Sequence, residues 1–321
     1  MNKISNNDSI LNLNTTPRKI IFFLGVVLCL LPSISPAIAL VVGILFAQLI
    51  GHPYPELNKK ATSYLLKISV IGLGFGMNLT EAIKTGKDGF IFTFVSIVSV
   101  LILGFVLGKL FKVERKTSYL ISAGTAICGG SAIAAISPII KAKENQITIA
   151  IGTVFILNAI ALIIFPYIGT AINLSQNQFG MWCAIAIHDT SSVVGAASKY
   201  GDEALKIATT VKLTRALWII PLAFFSAFIF KSKKSKVKVP YFIGLFILAM
   251  IMNTYIPIIG EYNSYLIDIA KKGLTLTLFL IGCGLNRKLI KSVGIKPLLQ
   301  AIIVWMFILF ASLWTVLSFY S

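Results

Sequence analysis

Ala184-Ile-Ala-Ile-His188-Asp189-Thr190-Ser191-Ser192-Val-Val-Gly195-Ala-Ala-Ser198 is an apolar stretch broken in its middle by an imidazole, a carboxylate and three hydroxyls. Its neighbours on both sides are lipid-soluble, so these polar groups fall deep in a membrane span. Even on lenient insertion scales an Asp at mid-bilayer costs roughly 2.5 to 3.5 kcal/mol, and a cavity or a partner must relieve that cost. Transport is the first expectation. Asp189, Thr190, Ser191 and Ser192 are also good N-cap types, so a second half-helix can begin inside this stretch.

The rest of the chain sets the class. Of its residues 57% are hydrophobic and 12% charged, with mean hydropathy +0.88, whereas a soluble domain carries about 25% charged residues. The expectation is an all-α polytopic membrane protein. Short alternating segments of the kind a barrel uses are absent. The excess of 29 Lys and Arg over 11 Asp and Glu reads as basic cytoplasmic loops rather than a nucleic-acid patch. Cys29, Cys128, Cys183 and Cys283 lie in apolar segments without CxxC or metal-ligand spacing, which argues against disulfides and zinc.

About 11 spans are expected, near residues 19–31, 36–51, 62–79, 89–108, 117–140, 146–169, 179–198, 204–230, 240–257, 265–285 and 297–319. Arg18-Lys19, a short apolar run and Ala37-Ile-Ala39 carry the marks of a cleaved signal peptide, but a first helix acting as an uncleaved signal is the preferred reading, as is common in polytopic proteins. With the N-terminus inside, the cytoplasmic segments collect Lys3, Arg18, Lys19, Lys59, Lys60, Lys109, Lys112, Arg115, Lys116, the lysines of Lys231 to Lys238, Arg287, Lys288, Lys291 and Lys296. The opposite loops hold only Lys84, Lys87, Lys141, Lys143, Lys199 and Lys206. That asymmetry predicts an inside N-terminus, an odd number of spans and a C-terminus outside the cytoplasmic membrane.

Gly74-Phe-Gly76-Met-Asn78 at the end of span three recurs as Gly282-Cys-Gly284-Leu-Asn286 at the end of span ten. The two spans run in opposite directions, as in the inverted repeats of secondary transporters; close helix packing through small residues accounts for the motif equally well. Span five carries Thr125, Cys128, Gly129, Gly130 and Ser131 near its midpoint. Adjacent glycines cost a helix about 1 kcal/mol each relative to Ala, so a break is expected there, with backbone amides turned toward a cavity suited to an anion. In span eight, Lys212 and Arg215 are three apart and share a helix face. They are expected either to neutralise Asp189, to bind a substrate anion, or to snorkel to the interface.

Ala123-Gly-Thr-Ala-Ile-Cys-Gly-Gly-Ser-Ala-Ile-Ala-Ala135, Phe179-Gly-Met-Trp182 with Ile187-His-Asp189, and Val211-Lys-Leu-Thr-Arg215 together resemble the bacterial YeiH family, whose members carry a sulfate-exporter label. The resemblance covers most of residues 20 to 320. It implies a relation to cation:proton antiporters and bile-acid symporters, with inverted five-helix repeats and broken crossing helices. Residues 1–35 then form a tail and an extra first helix, 36–170 the first five-helix unit and 178–320 the second, all within one transmembrane domain. Spans five and ten become the fourth helices of the two units, and span ten, with thirteen residues between Lys272 and Asn286, is short enough to be discontinuous or strongly packed. This chain has Thr-Ser-Ser after His188-Asp189, where the family pattern is less hydroxylated.

The expected function is a secondary transporter exporting a small inorganic or organic anion, sulfate or a sulfonate, driven by a proton or other coupling ion. No Walker-type nucleotide motif is present. Thr125, Cys128, Gly129, Gly130, Ser131, Ser191, Lys212 and Arg215 are the candidate substrate ligands, and His188 and Asp189 the coupling pair. Neither cofactor, metal nor nucleic acid is expected, the lipid bilayer is the obligatory partner, and a homodimer is compatible with this reading. The rivals are a cation/proton antiporter built on Asp189, an intramembrane enzyme pairing Cys128 or Ser191 with His188, and a passive channel.

Overall fold

In a computed structural model of the chain, residues 11, 14–31, 33–88, 90–230 and 241–319 are described. The expected cytoplasmic loop Lys231 to Lys238 and the C-terminus after Tyr320 lie outside the described residues. The regular elements among the described residues are helices: α1 (Thr15–Leu30), α2 (Pro36–Leu49), α3 (Pro55–Gly74), α4 (Leu79–Asp88), α5 (Phe90–Leu110), α6 (Arg115–Ala126), α7 (Gly130–Ile136), α8 (Glu144–Ala171), α9 (Gln176–Ala186), α10 (Thr190–Tyr200), α11 (Asp202–Leu217), α12 (Ile219–Ile229), α13 (Tyr241–Tyr255), α14 (Pro257–Gly284), α15 (Arg287–Ser292) and α16 (Ile295–Phe319). Helix α5, α8, the α11–α12 run Asp202–Ile229 and α16 are each long and apolar enough to cross a membrane, and α2 and α13 are shorter apolar helices. Side chains such as Ile91, Ile102, Phe105, Phe228, Phe310 and Trp314 stand exposed. Water would penalise so much open apolar surface, and lipid would not.

The helices fall into two compact units, Met1–Leu79 with Phe242–Lys291, and Thr80–Tyr241 with Ser292–Ser321. In the first, α14 packs along α2 and α3 at backbone contact distance. A Cβ on Gly43 would sit 2.2 Å from the Phe279 carbonyl oxygen, and one on Gly282 would sit 2.4 Å from that of Leu40. Gly74 of the matching motif is equally crowded, 2.8 Å from the Phe246 carbonyl oxygen of α13. Both glycine motifs thus serve close helix approach. Side-chain amides cross these contacts: Gln48 Nε2 donates to the Leu285 carbonyl at 2.7 Å, Asn58 Nδ2 to that of Leu280 at 2.9 Å, and Asn253 Nδ2 to that of Met77 at 3.2 Å.

Span ten is the strongly packed alternative and not the discontinuous one: it is an unbroken helix of 28 residues, α14, with Gly282 at backbone contact distance from Leu40. Lys272, read in the sequence as its near boundary, lies inside the helix. The long stem of Lys272 carries its ammonium to the Leu31 carbonyl at 2.7 Å, so the charge leaves the helix surface without ending the helix.

In the second unit, expected spans five and seven are not single crossings, because each folds back on itself. Helix α6 runs inward to Ala126, the chain turns through Ile127, Cys128 and Gly129, and α7 returns. The two ends meet: Lys116 Nζ donates to the Lys141 carbonyl at 2.7 Å, and Gln146 at the start of α8 bonds Glu114 at the start of α6. Lys141 and Lys143 therefore lie at the same end as Lys116, not at the opposite one. Helices α9 and α10 form a second hairpin. The Tyr200 hydroxyl donates to the Leu174 carbonyl at 2.6 Å, Gln176 Oε1 accepts the Glu203 and Ala204 amides, and the Phe179 and Tyr200 rings stack at 3.8 Å. With 11 or 12 residues in α6, α9 and α10 at 1.5 Å per residue, each arm reaches about 17 Å, near half of a roughly 30 Å hydrocarbon core. Helix α8, of 28 residues, runs from the base of the first hairpin to the base of the second, so the hairpins enter from opposite ends.

Candidate functional site

The first hairpin turns where the sequence carries its glycine pair. Gly129 has φ +60° and ψ −122°, a conformation open to glycine and costly to other residues. Its amide bonds the Gly124 carbonyl at 2.8 Å, which closes α6, and the first turn of α7 has no side-chain cap. The second hairpin turns at Ile187 and His188. Asp189 is the N-cap of α10: its Oδ2 accepts the Ser192 amide at 3.1 Å, the Ser192 hydroxyl at 3.3 Å and the Ser191 hydroxyl. A carboxylate at a helix N-terminus is favoured by both capping and the helix dipole.

The two tips touch. A Cβ on Gly129 would lie 3.4 Å from the His188 carbonyl oxygen and 3.5 Å from Asp189 Cα. Helix α11 supplies the cations that bind them together. Lys212 Nζ donates to the Ile187 carbonyl at 2.7 Å and to that of Ala184 at 3.3 Å, while Arg215 Nη2 donates to the Ala126 carbonyl at 2.5 Å. Each cation thus meets the unpaired carbonyls and negative dipole end of one inbound arm, α9 for Lys212 and α6 for Arg215. Both side chains are fully buried, and neither forms an ion pair with Asp189 among the described residues. Two of the three sequence expectations change: a direct ion pair with Asp189 is replaced by carbonyl capping, and snorkelling is excluded because neither head reaches the surface.

The junction is rich in buried groups without partners. Among the described residues Arg215 Nε and Nη1, Thr125 Oγ1, Asn158 Nδ2 and both ring nitrogens of His188 make no hydrogen bond. His188 is fully buried, its backbone amide is held by Asn158 Oδ1 at 3.1 Å, and its ring lies 6.5 Å from that of Trp305. The Trp305 indole donates to the Ala186 carbonyl at 3.0 Å, and Trp182, stacked on Phe165 at 4.2 Å, donates to Leu309 at 3.1 Å. Cys128 is buried and within electrostatic range of Lys212, Arg215 and Asp189.

Thr125, Cys128, Gly129, Gly130, His188, Asp189, Ser191, Lys212 and Arg215 are therefore gathered at one junction, where Ser191 supports Asp189. Ser131 is exposed, and its side chain interacts with that of Cys128. Sequence reasoning missed Asn158 and Trp305. Asn158 had a usable signal, as the one side-chain amide within the apolar run from Ile147 to Thr170. Trp305 had none, because an indole in an apolar span is ordinary. No group of three His, Cys, Asp or Glu side chains suited to a metal occurs among the described residues.

Fold and junction define a helical, multi-pass membrane protein with two hairpins meeting in its interior. The family described as Conserved hypothetical protein 698 matches residues 20–316, and the chain belongs to it, the same family as the YeiH proteins named above. It is 55% identical over 282 residues to a UPF0324 membrane protein of Bacteroides thetaiotaomicron, covering 87% of this chain and 86% of that one. It is 52% identical over 284 residues to one of Porphyromonas gingivalis, with 87% and 86% covered. It is 48% identical over 309 residues to the UPF0324 membrane protein Bd1437 of Bdellovibrio bacteriovorus, with 94% and 95% covered. No solved structure matches the chain.

Proposed function

We propose that this protein is a secondary transporter that exports a small oxyanion, sulfate or a sulfonate, across the bacterial cytoplasmic membrane by way of the hairpin junction. The observation that carries the reading is the surplus of buried donors. Among the described residues Arg215 Nε and Nη1 and Asn158 Nδ2 lack partners, and the Lys212 and Arg215 heads are buried without an ion pair. A ligand that satisfies such a set is rich in acceptors and negatively charged. The same inventory weighs against a cation antiporter built on Asp189, since Asp189 Oδ2 already accepts three donors as a helix cap. It also weighs against hydrolytic chemistry, because the Ser191 hydroxyl is turned to Asp189 and not to His188.

In this reading nine helical runs cross the membrane (α1, α2, α3, α5, α8, α11–α12, α13, α14 and α16), and the two hairpins reach its middle. The N-terminus is inside and the C-terminus outside; α6–α7 enters from the cytoplasm and α9–α10 from the exterior. Moving Lys141 and Lys143 to the cytoplasmic set sharpens the basic asymmetry. Inverted repetition is supported by a matched pair of bonds, Gln48 to the Leu285 carbonyl and Asn253 to the Met77 carbonyl. The two acceptors occupy the same place in the repeated glycine motif. That relates α2–α3 to α13–α14, while hairpin and long helix recur as α6–α7–α8 and α9–α10–α11. The units 36–170 and 178–320 then hold the same five parts in permuted order, with anion sites at interrupted helices near the midplane.

Energy comes from an ion gradient, and His188, buried and unpartnered on both ring nitrogens, is the group through which a proton would couple. The test is purified protein in liposomes with labelled sulfate and sulfonates, with and without an imposed pH gradient. Anion flux that responds to the gradient and disappears in Arg215→Gln is the expected result. Proton movement against sodium with no anion flux would replace this reading with the antiporter.

A further inference from the structure

The amide of Asn158 has two ends with separate tasks. Its orientation is fixed by chemistry: the His188 backbone N–H needs an acceptor, so the end at 3.1 Å is the oxygen, and the amino group is the end left over. Asn158 is 3% exposed, and Nδ2 makes no hydrogen bond among the described residues. Two donor protons in a dry interior are held at a cost unless something accepts them. Val154, one turn earlier on α8, lies against Gly129 and Gly124 of the first hairpin, while Asn158 itself holds the second. One face of α8 therefore touches both tips, and Asn158 is its only side-chain amide there.

Resting on the reading of the junction as an anion site, we infer that Asn158 is a specificity-determining residue: Oδ1 fixes the second hairpin tip, and Nδ2 donates to the bound anion alongside Arg215. The pairing has a selective consequence. Arg215 supplies charge and attracts any anion, halide or oxyanion. Asn158 adds no charge and offers directed donors, so it discriminates for a ligand with several oxygen acceptors set apart from one another. A sulfate or sulfonate can bridge the guanidinium on one helix and the amide on another, and a single-atom halide has one centre to share between them.

Asn158→Asp separates the two tasks. The carboxylate still accepts the His188 amide, but the donor becomes a second acceptor oxygen. Binding of labelled sulfate, with chloride as competitor, is measured on full-length purified protein together with its thermal midpoint. Wild type is expected to bind sulfate in preference to chloride. Asn158→Asp is expected to fold, with its midpoint lowered by the cost of a buried charge, and to lose sulfate affinity by about tenfold or more, the worth of a hydrogen bond to a charged group. Asn158→Leu, which removes both ends without adding charge, should lose the preference for sulfate over chloride. Sulfate affinity in Asn158→Asp within about twofold of wild type, under half the effect of that one bond, overturns the inference and leaves the anion reading standing. Wild type that binds neither sulfate nor sulfonates sinks the anion reading and this inference with it. If Asn158→Asp does not fold, Asn158→Leu decides on the same thresholds. Failure of both to fold makes Asn158 purely structural and overturns the inference.

Discussion

Gly129→Ala and Gly130→Ala, adjacent substitutions that look alike in the sequence, should have opposite outcomes. At Gly129 the backbone has φ +60° and ψ −122°, where an L side chain is strained by about 1 to 3 kcal/mol. Its new Cβ would also lie 3.3 Å from a Val154 methyl and 3.4 Å from the His188 carbonyl oxygen, so neither relaxation of the turn nor retreat from the second tip is free. Gly130 is the first residue of α7, and its Cβ would meet only the Phe155 ring, at 3.2 and 3.3 Å. That ring can swing by a few tenths of an ångström. Replacing a helical glycine by alanine returns about 1 kcal/mol, so Gly130→Ala should be near neutral. Thermal unfolding of the two variants in one detergent reads the difference. At about 2 to 4 °C per kcal/mol, the figure for somewhat smaller chains, Gly129→Ala should melt about 2 to 12 °C lower. Equal midpoints, or a Gly129→Ala variant more stable than Gly130→Ala, would refute the tight turn and the tip-to-tip contact together.

Gly43→Ala and Gly282→Ala drive a methyl into backbone oxygens at 2.2 and 2.4 Å and should cost about 3 kcal/mol, at the upper end of overpacking. Gly244→Ala on α13, whose Cβ meets nothing within 4 Å, is the control and should accumulate normally in membranes. Asp189→Asn keeps a good N-cap and should melt within about 1 kcal/mol of wild type, whereas Asp189→Ala should lose about 1 to 2 kcal/mol. Lys212→Met leaves the Ile187 and Ala184 carbonyls unpaired, at about 1 to 3 kcal/mol each; faster alkylation of buried Cys128 would report the loosened tip. His52, in the turn after α2, has its pKa pushed down from the ordinary 6.5 to about 4 by burial, with its side-chain hydrogen bond to Asn58 opposing in part. Because the unfolded chain binds that proton more readily, the stability due to neutral His52 is full above pH 6.5 and is lost as pH falls toward 4. A pH series of melting midpoints should show that loss in wild type and a shallower one in His52→Gln.

Much of the junction was legible because burying a charge or breaking a helix leaves a mark in composition. The Asp189 carboxylate in an apolar run, the Gly129-Gly130 pair, and the Lys212 and Arg215 spacing each violate the local rule for a lipid-crossing helix, and all of them converge. The hairpins were not legible. Residues 117–140 are as long and apolar as a crossing helix, and an arm that turns back has the same helical period as one that continues. What decides between them is the bonding of Lys116 to the Lys141 carbonyl and of Tyr200 to that of Leu174, contacts between residues that no periodicity relates. The same limit applied to α14, where Lys272 looks like a terminus until the reach of a lysine stem is counted. Asn158 was overlooked for a plainer reason: a neutral amide costs less in lipid than a charge, so its presence in α8 stood out less.

The most direct test of the donor-rich junction as an anion site is a structure of the protein with selenate, located by the anomalous scattering of selenium. The account predicts a single selenium site within hydrogen-bonding reach of Arg215 and Asn158, between the tips at Gly129 and His188, and its disappearance in Arg215→Gln. Selenium bound elsewhere, with no selenium at the junction, in protein that transports sulfate would contradict it.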